Sequence, residues 1–468
     1  KTQFSLVFTL GILSRLYGAL DLKVALHPDN LFQLLEPAHI ATYGYGITPW
    51  EWHIQFRPVV QQIIVQLIFS MGYAINLKLA DILLLNKLVM ATISMVLLYV
   101  IYLLGKEIYG EKAGLYALFA AIFSPILWPW GVDVNSHIPA TLFIVLSAFF
   151  LWKGLSKNDN SGFYSGLSLG VAFMFRHDSL IFLAPTMLCV LSYKNFFALK
   201  KFILGFTLAF FVQGVIDLLY VGNFLHTFIQ DVIHNLIVPN KTFAENSAMI
   251  YLLIFILHIY VVLLMREMFE KSKRTYFVLT LFIVPLIVLS LIRHRELRFA
   301  ISAVPFFMLL IGHGLSKLKE KNDMIVYYCV FLTMVLSGAF LTYAQLHMSS
   351  MPEVVSYDLF SFVGAQNDST GLAYDMSWFY TGGYTYVHKR IPFTQVTEYD
   401  EILSPELEMT SCNKPINYSL YDFQCVTWDK LGSDEKINYL VLARQNNLLP
   451  DFIEIKRVGG LTLYRRNG

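Results

Sequence analysis

The segment from His27 to Trp52, HPDNLFQLLEPAHIATYGYGITPWEW, places three carboxylates among histidines, amides and aromatics directly after an apolar run. A carboxylate in the first turn of a helix is kept ionised by the positive end of the helix dipole. So placed, it can take a proton from a hydroxyl. The local signals put Asp29 in such a turn. His27 can cap the helix and Pro28 suits its first position, where a missing N–H costs nothing. Pro37 disfavours helix at Glu36, so a short helix over about 28–36 is expected. On it Asp29, Gln33 and Glu36 share one face, and Leu31, Phe32, Leu34 and Leu35 cover most of the rest. The polar stripe is expected to face a water-filled cavity. Gly44 and Gly46 permit tight backbone, and Tyr43, Tyr45, Trp50 and Trp52 suit a headgroup region. The plain alternative is an interfacial helix with an aromatic belt.

Other polar groups interrupt apolar runs. RHRELRF, Arg293 to Phe299, carries three arginines and a glutamate. Guanidinium stays charged and meets phosphate oxygens bidentately; pairing with headgroups or with Glu296 is the alternative. FRHDSL holds Arg176, His177 and Asp178, either supporting a cavity or forming a solvated turn. VDVNSH offers Asp133, Asn135 and His137, with helix capping by Asn135 or Ser136 as the alternative. IDLLYVGNFLHTFIQDVIHNLI brings Asp217, Tyr220, Gly222, His226, Asp231, His234 and Asn235, or an amphipathic interfacial helix. There is no Gly-rich phosphate loop, no G-x-S-x-G and no H-E-x-x-H. His226 and His234 share a helical face without a third ligand nearby, so no metal is expected.

The elements that must position these residues are membrane helices. The 468 residues are 56% apolar and 15% charged, with a mean hydropathy of +0.55. A soluble protein would have about 25% charged residues. About eleven spans are expected, near 4–20, 82–104, 113–130, 137–153, 163–176, 178–193, 201–220, 249–265, 276–292, 299–315 and 323–343. The first is read as a retained span, not a cleaved signal. Residues 57–75 carry glutamines and are expected to lie at the interface. Lys106 and Lys112, Lys153 and Lys157, Lys194, Lys200 and Lys201, Arg266 to Arg274, and Lys317 to Lys321 fall in alternate loops, which marks that side as cytoplasmic. The other side receives 21–81, 131–136, 176–178, 221–248, 293–298 and the tail. Residues 1–343 thus form a membrane module. Residues 344–468 form a small outward α+β domain, with strands expected at INYLVLA and GLTLYRR. Cys412 and Cys425 in the tail are either a disulfide or two thiols. A net charge of +2 with no basic block gives no sign of nucleic acid.

Three of these motifs, in order, resemble the signature of the dolichyl-phosphate-mannose-dependent α-mannosyltransferases, the family 22 type of the GT-C superfamily. HPDNLFQLLEPAH with YGYGITPWEW is similar to its H-P-D-E-x-F-Q and T-W-E-W elements. RHRELRFAISAVP is similar to H-K-E-x-R-F-x-x-P-x-x-P. IDLLYVGNF with DVIHNLI resembles D-x-x-x-Y-G and F-x-x-x-N. The likeness covers roughly residues 1–315. Asn30 stands where the family has Glu, Pro49 interrupts T-W-E-W, and Arg295 stands near the usual Lys.

The resemblance implies a GT-C fold and a polyprenyl-phosphate sugar donor. It implies a lipid-linked or glycosylphosphatidylinositol (GPI)-like glycan acceptor, and inversion at a site on the non-cytoplasmic face. Asp29 would be the base. Arg293, Arg295 and Arg298 would contact the donor phosphate, Arg298 matching the family best. His27, Gln33, Glu36, His39, Trp50, Glu51, Trp52 and Arg176 would shape the cavity or bind substrate. Asp217 and Asn235 would make acceptor or structural contacts. No metal or other cofactor is called for if arginine supplies the charge. The membrane would be the endoplasmic reticulum in a eukaryote and the plasma membrane in a prokaryote. Alternatives are another polyprenyl-phosphate sugar, a flippase of lipid-linked sugar, and a receptor whose tail binds ligand.

Overall fold

The computed structural model describes residues 2–156, 159–237, 246–292, 294–321, 323–347, 352–376, 381–397, 423–443 and 450–467. Seven of its helices are long and apolar enough to cross a membrane: Thr2–Asp21, Leu79–Tyr109, His137–Leu155, Phe196–Val221, Lys273–Leu291, Leu297–Glu320 and Met324–Leu346. An eighth span is possible by length where Ala248–Leu257 and Ile259–Met268 join at a 78° bend. Val60–Ala74, Ser161–Phe175 and His177–Tyr193 are shorter apolar helices. The chain is a multi-pass membrane protein.

Besides the bend within 249–265, a second expected span differs. Over 113–130 the helix Glu111–Ile122 stops, and a separate turn runs over Leu127–Trp130. Pro125 prevents a continuous helix, and Ser124 Oγ accepts from the Ile126 and Leu127 N–H groups across the break.

Small residues let neighbouring helices approach. A Cβ on Gly166 would fall 1.9 Å from the Phe202 carbonyl oxygen, and one on Gly205 2.1 Å from that of Phe163. The helix Leu297–Glu320 is the most enclosed of the spans, 94% buried over its apolar window. It forms the centre of the bundle and begins at the arginine motif.

The loops sort as the basic residues imply. Residues of the lysine-bearing loops meet one another: Lys317 lies 3.8 Å from Glu270 and Lys321 2.7 Å from Glu267. The loops assigned outward meet each other and the tail, as the site below shows.

The tail carries a six-stranded sheet in the order β3-β2-β1-β4-β6-β5. The strands are β1 (Leu372–Tyr374), β2 (Phe393–Thr397), β3 (Phe423–Thr427), β4 (Tyr439–Leu442), β5 (Phe452–Val458) and β6 (Leu461–Arg466). β1 to β4 pair in parallel, whereas β6 is antiparallel to both β4 and β5. Both strands expected from sequence are present, as β4 and β6. Parallel pairing requires crossovers, which alternation alone does not reveal. The question of a Cys412–Cys425 disulfide lies outside the described residues.

Candidate active site

The chain turns into the first outer helix as its capping residues dictate. His27 has an extended backbone, and its Nδ1 accepts from the Asp29 N–H at 3.1 Å, with Pro28 in the first turn. The helix does not stop before Pro37. Leu31–Leu35 form a π turn, and Glu36–Tyr43 continue as α-helix to Gly44 in the left-handed region. Pro37 donates no N–H, which would leave the Gln33 carbonyl open. The Trp52 indole N–H donates to that carbonyl at 3.2 Å. A π turn holds one extra residue, which rotates everything after it by about 100°. Asp29 and Gln33 therefore face the charged cluster of Arg298, Glu51 and Arg57, and Glu36 does not.

Asp29 meets the arginine motif. Arg298 Nη2 donates to Asp29 Oδ2 at 2.7 Å, and Arg298 Nη1 lies 3.0 Å from His27 Nδ1. The same guanidinium donates through Nε and Nη2 to Glu296 at 2.5 and 3.0 Å, and His294 Nε2 lies 2.7 Å from Glu296. Burial opposes charge on Asp29, but Arg298, His27 and Arg57 outweigh it and hold the carboxyl far below the usual range. Burial likewise opposes charge on Glu296, yet His294 and Arg298 hold it at about 2. Both carboxylates are ionised, and Arg298 is shared between them.

A second layer holds Asp29 in place. Asp133 accepts from the Leu26 N–H at 2.9 Å, the Asn30 amide at 2.6 Å and its neighbour Val134 at 2.8 Å. Burial raises its carboxyl to about 6 against those hydrogen bonds. Asn30 is thus a donor to a buried carboxylate, a role that the glutamate of the family pattern cannot fill when ionised.

The other expected site residues separate into those near the cavity and those elsewhere. Glu51 lies 2.5 Å from Arg57 and accepts from Gln33 at 3.2 Å. Arg176 binds Asp178 at 2.8 Å and approaches His137 at 3.1 Å and Ser136 at 3.3 Å. Asp217, fully buried, accepts from Gln213 and from both N–H and hydroxyl of Thr227. Asn235 donates to Asp231 at 3.0 Å.

Glu36 and His39, by contrast, join the first outer loop to the tail. Glu36 accepts from the N–H groups of Ile47, Tyr384 and Thr385 and from the Thr385 hydroxyl. His39 lies 3.0 Å from both the Tyr45 carbonyl and His388. Arg295 is turned aside, donating to the Ser290 and Asn246 carbonyls. Arg293 and the Trp50 side chain lie outside the described residues.

Sequence reasoning missed Arg57. Burial opposes its charge, but Glu51, Asp29 and Asp231 together raise its pKa. It therefore stands among three carboxylates. The available signal was the one used for Arg298: a cation in an outward loop, against the positive-inside bias.

The fold is shared with integral-membrane glycosyltransferases of the GT-C type. ArnT from Cupriavidus metallidurans bound to undecaprenyl phosphate superposes with a TM-score of 0.65 at 12% identity, over 99% of this chain and 98% of that one. The oligosaccharyltransferase of Archaeoglobus fulgidus gives 0.53 at 11% identity, over 94% and 69%. Residues 6–388 match the Alg9-like mannosyltransferase family, and the chain belongs to it. That match extends beyond the three sequence motifs, into the segment that receives Glu36. Among curated relatives, GPI mannosyltransferase 3 of Yarrowia lipolytica is 24% identical over 81% of this chain and 74% of its own length. GPI alpha-1,2-mannosyltransferase 3 of Homo sapiens is 23% identical over 68% of this chain; the match spans 58% of the human protein.

Proposed function

We propose that the protein is an inverting glycosyltransferase. It transfers mannose from a polyprenyl-phosphate donor to a GPI-type or other lipid-linked glycan, on the non-cytoplasmic face. The observation that carries this reading is the Asp29–Arg298 pair, 2.7 Å apart where the outer loops converge.

The chemistry follows from that pair. Asp29 takes the proton of the acceptor hydroxyl as the oxygen bonds to the anomeric carbon. The bond from that carbon to the phosphate oxygen breaks, and the phosphate leaves on its lipid. Attack from the opposite face converts a β-linked donor into an α-linked product. Phosphate is a good leaving group, so one carboxylate suffices, whereas glycosidases use two. Arg298 faces the phosphate and neutralises its growing charge. Its engagement with Asp29 suits this role. A phosphate that draws the guanidinium away frees Asp29 and raises its basicity, so the base strengthens when donor is bound.

A flippase would need polar groups at mid-membrane or on both sides. The carboxylates and arginines gathered at one end favour an enzyme. The test is incubation of purified protein with labelled polyprenyl-phosphate mannose and a lipid-linked glycan acceptor. Formation of an α-mannosylated product with release of polyprenyl phosphate is expected. Movement of lipid across a bilayer without any product would replace this reading.

A further inference from the structure

A second carboxylate opens on the outer side, backed by a buried chain of hydrogen bonds. Its base is Asp217, which accepts from Gln213 Nε2 at 2.7 Å and from Thr227 Oγ1 at 2.7 Å. His177 Nε2 lies 3.4 Å from the same Thr227 oxygen. With Asp217 ionised, the Thr227 hydroxyl spends its only proton on that carboxylate. The Thr227 oxygen is then an acceptor, and His177 must donate through Nε2. Neutral imidazole has one N–H, so Nδ1 carries a bare lone pair.

That nitrogen is buried and finds no hydrogen-bond partner among the described residues. It points toward Asp231, with Nδ1 3.7 Å from Oδ2; the two side chains are 3% and 22% exposed. Phe173 and Phe228 pack against the ring at 4.9 and 5.6 Å and fix its orientation. Asn235 holds the other Asp231 oxygen at 3.0 Å. Burial raises the Asp231 carboxyl to about 6 and Asp178 adds to this, while Arg57, Arg176 and the Asn235 amide act against it. Phe56, beside Arg57, packs on the His234 ring at 5.9 Å, which brings the Arg57 loop against the turn that follows Asp231.

We propose that Asp231 is an acceptor-binding carboxylate, gripping a hydroxyl of a neutral sugar, and that Asp217, Thr227 and His177 fix the imidazole lone pair that faces it. The chemistry selects the ligand. A partly exposed carboxylate accepts directly from a sugar hydroxyl, whereas an ionised phosphate has no proton to donate to it. Arg298 draws the anionic donor to Asp29, and Asp231 holds the glycan from another side. This deepens the reading above and rests on it for the identity of the donor side.

The test uses the full-length protein in lipid nanodiscs, with labelled polyprenyl-phosphate mannose and a mannose-terminated lipid-linked glycan. Asp231→Asn is isosteric and should raise the acceptor KM by about tenfold or more, the worth of a hydrogen bond to a charged group, while the donor KM stays within about twofold. Asn235→Ala, at an exposed position, should move acceptor KM the same way by a smaller factor. In the parent, acceptor kcat/KM should fall as pH drops through about 6, because protonation removes the charge that strengthens the hydrogen bond from the sugar hydroxyl. His177→Phe keeps an aromatic ring but removes the lone pair that stabilises protonated Asp231, so this limb should move to lower pH. An acceptor KM unchanged in Asp231→Asn, or donor and acceptor KM raised equally, overturns the proposal. Direct binding of the glycan lipid to parent and Asp231→Asn protein reads the subsite without turnover. If the parent transfers no mannose, the proposed function fails, and this measurement still decides the subsite.

Discussion

Arg298 donates to Asp29 at 2.7 Å across 269 residues of sequence, and the same guanidinium also serves Glu296. The pair joins the first outer loop to the start of the most enclosed helix of the bundle. An arginine held by two carboxylates is positioned for an anion and neutralised until that anion arrives. The donor phosphate is the group that would complete the exchange.

Arg298→Ala should therefore weaken donor use far more than acceptor use. Truncating one partner of a buried, hydrogen-bonded charge pair in a complex costs about 2–5 kcal/mol, so a rise in donor KM of at least about thirtyfold is expected. Arg298→Lys should recover little, since ammonium cannot fork between Asp29 and Glu296. Separate titrations of donor and acceptor check this; equal losses on both would argue against phosphate binding.

Glu36 should matter for the assembly of the tail on the membrane module rather than for transfer chemistry. Its four donors come from Ile47, Tyr384 and Thr385, and a Cβ on Gly383 would lie 2.8 Å from its carboxylate. Glu36→Ala leaves buried donors unpaired, at a cost of about 2 kcal/mol or more. Gly383→Ala adds a side chain at φ +57 against the same carboxylate. Both variants should lower the thermal unfolding midpoint and expose the tail to limited proteolysis. Full retention of both properties would show that the tail is held by other contacts.

Asp133 carries a pH signature. Its folded carboxyl is raised to about 6 by burial, against about 3.9 when unfolded. A group raised on folding contributes stability that is fully present below the unfolded value and is lost as pH rises through the folded one. The parent should thus gain stability relative to Asp133→Asn as pH falls from 7 toward 4. Paired thermal unfolding curves across that window measure the difference, and a pH-independent gap would mean that Asp133 is not buried as described. Asp133→Ala should also lower kcat, because Leu26 and Asn30 lose the anchor that fixes the Asp29 turn.

Much of this was legible in the sequence. The apolar runs gave the membrane helices, the lysines gave loops that come together at one end, and His27-Pro28-Asp29 gave the cap. Arginines on the wrong side for topology pointed to Arg298. What escaped was local geometry. A proline normally ends a helix, and nothing in LFQLLEP announces a π turn that carries the chain through it. That turn sends Glu36 and His39 to the tail instead of the cavity. Arg295 lies only three residues before Arg298 in the same motif, and the turn into the helix at Leu297 decides which one reaches Asp29. The chain Asp217–Thr227–His177–Asp231 joins three helical segments, and no spacing rule links them.

The most direct measurement is single-turnover transfer by Asp29→Asn protein with donor binding quantified in the same preparation. A fall of about a hundredfold to ten-thousandfold, the usual worth of a general base, with donor still bound, is the expected result. Transfer at the parent rate would contradict the account.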